Sequence, residues 1–476
     1  MSAPSPAAAV ALLALAAGTA AFAQTRTAPA EAVRADAPPP FEPKIDDPML
    51  APAPRPARVV TSWREARELL AKNSTDLRSA EAAVERAEGR WTQALAALLP
   101  NARVSAGVAV DLLHPSVPSY AGVAAGAAGA VSALPSGTDP TTPLAAASVT
   151  LSQTVVDVGA WRGLSSASAG ERSARASLAD VRRRVTQGLA RSIVAVVAAE
   201  RAAEINRISL RQALERAALS DRTFELGAGT QVDVVRVRQD VTVARSALIA
   251  GDEQLHRTRE ALGLALGIDE EVGVSPSFAL EPLIDEVKAE CRPLEDPSRR
   301  ADVVAAEEQV KAAAASREQA TAGYLPTLGL TSTALGFTTS PGPGQVGTWN
   351  IAAVLSVPLW EGGLRGGLVE ERRGAEVQAQ QAALEARRAV TVEAARAERN
   401  EASVRALLAT ARESRELAAR LDALTRRSFQ IGRATSLDLV QAAAVLRQAE
   451  LNLALREFEW VQARLDALLT VSECSS

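Results

Sequence analysis

Phe224-Glu-Leu-Gly-Ala-Gly-Thr-Gln-Val-Asp233-Val-Val235 and Phe429-Gln-Ile-Gly-Arg-Ala-Thr-Ser-Leu-Asp438-Leu-Val440 are one stretch written twice, 205 residues apart. Leu151-Ser-Gln-Thr-Val-Val-Asp-Val-Gly159 matches Leu355-Ser-Val-Pro-Leu-Trp-Glu-Gly-Gly363 at an offset of 204, and Leu98-Leu-Pro100 matches Tyr324-Leu-Pro326 at 226. The order is the same in both halves. One match between alanine-rich helices is ordinary; three in order make the chain an internal duplication, the first thing a repeat search should settle.

Around the repeated stretches each half reads as helix, strand, loop, strand, long helix, turn, long helix. A helical pattern runs from Trp63 to Leu99 and stops at Pro100. Val104, Ala106, Val108, Val110 and Leu112 then make one apolar face at period two, with Arg103, Ser105, Gly107, Ala109 and Asp111 opposite; that alternation predicts a strand. A Gly/Ala/Pro/Ser loop covers about 114–146, and Val149, Leu151, Gln153 and Val155 alternate again. In the second half Leu328, Leu330, Ser332 and Ala334 follow Pro326. Pro341-Gly-Pro-Gly344 marks the loop, and Trp349, Ile351, Ala353, Leu355, Val357 and Leu359 alternate next.

Proline places the helices. Of 25 prolines, 11 lie in the first 60 residues, none lies between Pro143 and Pro276, and none follows Pro358. Proline breaks helix interiors, so the two deserts are where long helices run; the first, from about Ala160 to Phe224, would be ~100 Å long at 1.5 Å per residue. Val234, Val241, Leu248, Leu255 and Leu262 recur every seven residues, as do Leu437, Ala444, Leu451, Phe458 and Leu465. Leu439, Leu446, Leu453 and Trp460 add a second row. Two seams on one helix suit the wall of a helical barrel; the plainer reading is an antiparallel hairpin in a bundle, and the corresponding second row of the first half (Gln239, Ser246, Glu253) is polar.

Composition narrows the function. The formal charge of −4 points to neither nucleic acid nor anionic lipid. Hydrophobic residues make up 47% of the chain but aromatics only 3%, which suits close-packed long helices better than a large globular core. Two His and two Cys argue against a metal or thiol enzyme. No nucleophile elbow, phosphate loop or carboxylate pair suggests catalysis, so neither enzyme nor cofactor is expected. His114 and His256 have no ligand partner at useful spacing and read as solvated.

Residues 1–23 read as a signal peptide: Ala7 to Ala17 is apolar, and Ala21-Phe22-Ala23 fits a small-x-small cleavage site. Residues 24–60 read as a loose, extended Pro-rich leader. The expected organisation beyond is a first repeat over 61–268, a connector over 269–296, a second repeat over 297–470 and a tail over 471–476. Strands of about ten residues in an exported chain have the length to cross a bilayer when tilted. Four strands cannot close a barrel, so the edges must be removed by oligomerisation; three copies would give twelve strands and an open lumen. Trp161 and Trp360 fall at strand-to-helix junctions, where interfacial aromatics are expected, although plain packing explains each equally well.

These ordered motifs resemble the TolC-like outer-membrane factors of tripartite efflux and type I secretion systems. The resemblance rests on Tyr324-Leu-Pro326, Leu355 to Gly363, Phe429 to Asp438 and their first-half copies, over roughly Ser62 to Leu469. It implies a mainly α chain with a transmembrane β part. Three copies would form a 12-stranded barrel, set among outer-membrane lipid, continuous with a helical tunnel in the periplasm of a Gram-negative bacterium. It also implies a closed inner tip, a periplasmic adaptor that docks there, and an inner-membrane RND or ABC transporter. The junction falls at Pro100, Trp161, Pro326, Pro358, Trp360 and Gly363, and the tip at Asp233, Asp438, Gln441 and Arg433. A second tip aspartate of some members is Gln441 here. In the family fold the connector and the C-terminus meet at the tunnel's equator, so Cys291 and Cys474 are either a disulfide or two free thiols.

Physics bears on the tip without the family. Three Asp438 carboxylates around an axis would favour cations, yet Asp233 and Asp438 also sit where an aspartate caps a first helical turn. Gly227, Gly229 and Gly432 read as turn residues permitting positive φ. Arg433 would meet an adaptor or remain a solvated charge. The expected function is a passive export duct of the outer membrane; the alternative is an exported coiled-coil scaffold without a pore.

Overall fold

The computed structural model describes residues 43–119, 139–276, 278, 280–340 and 347–474, and residues Ile45–Ser476 form one compact unit. The signal-peptide segment, the leader up to residue 42, the Pro341–Gly344 loop and residues 120–138 of the first loop lie outside the described residues.

The repeat is visible in the order of elements. The first half holds α1 (Trp63–Asn73), α2 (Thr75–Ala96), strands β2 (Asn101–Ala109) and β4 (Leu144–Val156), then α3 (Val158–Glu225) and α4 (Gln231–Ala265). The second holds α6 (Ala301–Ala322), β7 (Thr327–Phe337), β9 (Gly347–Ser356), α7 (Leu364–Gln430) and α8 (Ser436–Thr470). The connector supplies β5 (Val272–Val274), α5 (Leu280–Glu290) and β6 (Cys291–Pro293). A short β1 (Arg58–Val60) precedes the first half and β10 (Ser472–Cys474) ends the chain; β3 (Asp139–Pro140) and β8 (Thr339–Ser340) pair at the outer end of the strands.

Local chemistry sets the element ends. The helix expected from Trp63 to Leu99 is two helices, because the Ser74 hydroxyl accepts from the Leu77 amide and starts α2 anew. Asp157 caps α3 through the Ala160 amide. With no interior proline, α3 and α7 run 68 and 67 residues, about 100 Å each. The strands also shift from expectation: β2 ends at Ala109 rather than Leu112, β4 begins earlier, at Leu144, and β9 ends at Ser356, ahead of Pro358, which has no N–H to offer a ladder.

Four strands form one antiparallel sheet in the order β2-β4-β7-β9. Opposed residues share a face, and the register sorts the faces by chemistry. Val104, Val149, Ala334 and Trp349 stand in one row, and Ala102, Leu151, Ser332 and Ile351 in the next. The opposite face carries Arg103, Thr150, Thr333 and Asn350 in one row and Ser105, Ser148, Leu335 and Thr348 in another. Val104, Val108, Trp349, Ile351 and Leu355 are exposed in the single chain. Strands β2 and β9 each leave an edge unpaired within the sheet.

Small residues let the helices approach closely. On α3, Ser166 and Ser173 donate to the Ala312 and Ala305 carbonyls of α6 at 2.8 Å each, and a Cβ at Gly163 would come within 2.9 Å of the Gln319 side chain. The seam Val234–Val241–Leu248–Leu255–Leu262 is buried throughout. On α8, burial is shared between its two rows: Leu439 and Leu465 are buried, whereas Leu446, Leu453 and Phe458 are only half-buried.

A large apolar core lies where the connector wraps the helices. Val60, Trp63, Leu70, Leu189, Ile193, Leu262, Leu266, Val272, Leu283, Ile284, Leu465 and Leu469 are all buried in it. β1 pairs with β5 and β10 with β6, and Cys291 is disulfide-bonded to Cys474. Of the leader expected to be loose, residues 45–60 are instead a packed strap. Asp47 pairs with Arg245 at 2.7 Å, Met49 and Leu50 pack against Leu210 and Leu248, and Arg259 donates to the Pro54 carbonyl. The apolar side chains at 49, 50 and 53 meet grooves of α3 and α4, so this proline-rich stretch, helical only over the single 3-10 turn Pro48–Leu50, buries surface against them.

Candidate functional site

Two places concentrate unusual chemistry: the two helical-hairpin turns and the junction between strands and helices.

Both turns are built alike. α3 and α7 end ahead of Gly227 and Gly432, whose φ values are +72° and +73°, a conformation in which a side chain is strained. Gly229, expected to share that role, does not have positive φ; a Cβ there would lie 3.2 Å from the Phe224 amide nitrogen and the Thr223 hydroxyl, so close approach is what calls for glycine. The chain then re-enters helix through a reciprocal capping box. Thr230 accepts from the Asp233 amide and Asp233 from the Thr230 amide; Thr435 and Asp438 repeat it.

The duplicated aspartates differ in what they meet beyond the cap. The Ser436 hydroxyl, on the first residue of α8, donates to Asp233 Oδ1. Arg236 donates to that same hydroxyl at 2.9 Å and lies 3.6 Å from Asp233. Asp233 therefore ties the two hairpins together. The Ser436 hydroxyl, then that of Thr230, hold its carboxyl below the ordinary carboxylate range. In the second copy, Gln231 and Gln441 are the pseudo-equivalents of Ser436 and Arg236, 205 residues away in each case, and the tie is not repeated. Asp438 is exposed and bonds Thr435 alone, whose hydroxyl lowers its pKa. Arg433 and Gln441 are exposed beside it. Both aspartates thus close a capping box, and Asp233 in addition joins the two hairpins. Ser436 and Arg236 were not legible in the sequence because each is an ordinary polar residue near a helix N-terminus and the partner lies on the other hairpin.

Above the turns Asp240 of α4 is buried between helices. Arg216 of α3 donates to its Oδ2 at 2.6 Å, and Arg447 of α8 lies 3.7 Å from Oδ1. Its side chain is 4% exposed and that of Arg216 9%. His256, expected to be solvated, is half-buried with its Nδ1 2.9 Å from a Glu271 oxygen; His114 is exposed.

At the other end, Pro100 and Pro326 stand between α2 or α6 and the following strands. Trp161 lies in the first turn of α3 and is half exposed; Trp360 is 85% exposed between β9 and α7. Pro358 ends the strand pairing, and Gly363, with φ +88°, starts α7 without a side-chain cap. Leu359, Trp360 and Leu364 form an exposed apolar belt beneath the sheet. No group of three metal-ligating side chains occurs among the described residues, and no described helix is long and apolar enough to cross a membrane.

Comparisons with known proteins agree with this arrangement. The model of the outer membrane efflux protein family matches residues 66–268 and 297–469. No curated protein matches the chain in sequence. Among solved structures, the outer membrane protein VceC of Vibrio cholerae is similar at 15% identity with a TM-score of 0.69, covering 86% of this chain and 95% of that one. The CmeC outer membrane channel of Campylobacter jejuni is also 15% identical, with a TM-score of 0.69 over 86% of this chain and 85% of that one. The MtrE outer membrane channel of Neisseria gonorrhoeae reaches 0.68 at 15% identity, over 86% and 88%. With both halves matched by the family model, the chain belongs to the outer membrane efflux proteins, the TolC-like channel family.

Proposed function

We propose that three copies of this chain form a passive outer-membrane duct, the exit of a tripartite efflux or type I secretion system. The observation that carries the reading is the sheet: four strands with a lipid-compatible face, a polar face and both edges open, joined to helices about 100 Å long. Closing twelve such strands removes every edge and puts the polar face inside. The helices then project into the periplasm, and the Trp161/Trp360 level lies at the inner membrane–water interface of the barrel. The exposed hairpin turns, with Arg433 and Asp438, are the surface offered to a periplasmic adaptor. Energy and cargo choice belong to an inner-membrane RND or ABC transporter. Boundaries at 61–268 and 297–470 then delimit two equivalent repeats.

Purified trimers in planar bilayers test this. Discrete conductance steps are expected; a folded chain that gives none favours the poreless scaffold. Crosslinking in detergent is expected to yield a trimer, and a dimer would remove the twelve-strand barrel.

A further inference from the structure

Arg103 is the one ionisable side chain on the four long strands, whose remaining residues are apolar, hydroxylic or amide. It lies on the polar face, opposite Thr150, in the row that continues through Thr333 to Asn350. It is exposed in the single chain, and no carboxylate of the described residues pairs with it. Its neighbours along β2, Ala102 and Val104, point to the apolar face. The strand alternation turns Arg103 away from the apolar face and, in the closed barrel, toward the lumen. The hydroxyls and amide of its row can hydrogen-bond a solute but do not neutralise its charge.

We infer that Arg103 of each copy forms a ring of three guanidinium groups in the barrel lumen, a site that selects and transiently binds anionic solutes, those bearing carboxylate or phosphate. This rests on the trimeric duct proposed above. Twelve strands spaced about 4.8 Å apart and tilted about 40° enclose a backbone radius of roughly 12 Å. Long side chains reaching inward bring their charges within about one Debye length of the axis, ~8 Å at physiological salt. Arginine rings favour anions as carboxylate rings favour cations, and the planar fork matches carboxylate and phosphate oxygens. The strand barrel and the aspartate-bearing tip therefore hold opposite preferences, in series, at the two ends of one path.

The test is the reversal potential of trimers in planar bilayers under a KCl gradient, for the native chain, Arg103→Gln and Arg103→Lys. Three unit charges roughly 6 Å from the axis in water at about 0.1 M salt enrich anions about sevenfold and deplete cations to the same degree, so the anion-to-cation permeability ratio is expected to be on the order of tens of fold higher with the ring than without it. Arg103→Gln is expected to lose that factor and Arg103→Lys to keep it. The loss is also expected in an Asp438→Ala background, where the tip carboxylates no longer contribute. Inorganic pyrophosphate added on the strand side is expected to reduce current through the native chain and the Lys variant but not the Gln variant. A Gln variant that conducts with unchanged reversal potential and unchanged pyrophosphate block overturns the inference while leaving the duct standing. A native trimer without conductance overturns the duct itself.

Discussion

Replacing Asp240 by Asn tests whether the two hairpins are held together by charge. The carboxylate lies between Arg216, at 2.6 Å on α3, and Arg447, at 3.7 Å on α8, with 4% of its side chain exposed. Asn keeps the shape and one acceptor but leaves two arginines without a counter-charge. Stranding a buried charge costs about 3–5 kcal/mol. The low end applies, because Arg447 is 17% exposed and can turn to water, whereas Nε and Nη1 of Arg216 already lack protein partners. A loss of about 3 kcal/mol corresponds to roughly a hundredfold increase in local opening. Native-state hydrogen exchange of the amides around 440–450 reads it directly, and is preferable to a melting temperature because a large oligomer need not unfold in two states. Single-channel conductance is expected to rise in parallel as α8 loosens from the first hairpin. Substituting both Arg216 and Asp240 by Leu is expected to cost less than Asp240→Asn alone, since most of the stranded charge is gone. Exchange within about twofold of the native rate in Asp240→Asn would refute the reasoning.

Other perturbations follow from the same geometry. The Ser436 hydroxyl and the Thr230 cap depress the Asp233 pKa below 3.8. The tie is therefore complete above that value and is lost as pH falls through the lower folded-state pKa. Protease cleavage at the turns is expected to stay constant from neutral pH down to about 4 and rise below it, with Asp233→Asn removing the first turn's share of the dependence and leaving that of the second, whose capping box Asp438 closes. Reducing Cys291–Cys474, or Cys291→Ser, opens a loop of 183 residues; chain entropy sets a ceiling of about 5 kcal/mol on the loss, and denaturant titration with and without reductant measures it. Gly227→Ala and Gly432→Ala force a side chain onto φ of +72° and +73°, a cost of about 1–2 kcal/mol each, seen as faster exchange in the adjoining turns, whereas Gly89→Ala, with open space around it, is expected to be neutral or stabilising.

Much of this was legible in the chain because local periodicity is a local property. Alternation at Val104–Val108 and at Trp349–Leu355 marked β2 and β9, the proline deserts marked α3 and α7, and the heptad row from Val234 to Leu262 is the buried seam. The duplicated aspartates marked the start of α4 and α8, although the N-cap residues are Thr230 and Thr435, with each aspartate closing the box from N3. Where expectation failed, a local signal was outweighed by packing or was of the wrong kind. Ser74 reads as an ordinary helical residue, but its hydroxyl restarts the helix. Gly229 reads as a turn glycine, but what it avoids is the Thr223–Phe224 backbone. Prolines at 48, 52, 54 and 56 read as a loose leader, but residues 45–60 find apolar grooves on α3 and α4.

By itself, then, the sequence determined the elements, their order, their duplication and the two-faced character of the strands, since each depends on side-chain type at short spacing. The tertiary structure alone decided the partnerships between distant residues: Asp233 with Ser436, Asp240 with Arg216 and Arg447, Cys291 with Cys474, Asp47 with Arg245. Two near-identical hairpin turns contain the same aspartate, yet only one of the two reaches the other hairpin. Which one does is settled by how α4 and α8 pack, because a hydrogen bond forms over about 3 Å while the sequence separation it bridges carries no distance at all.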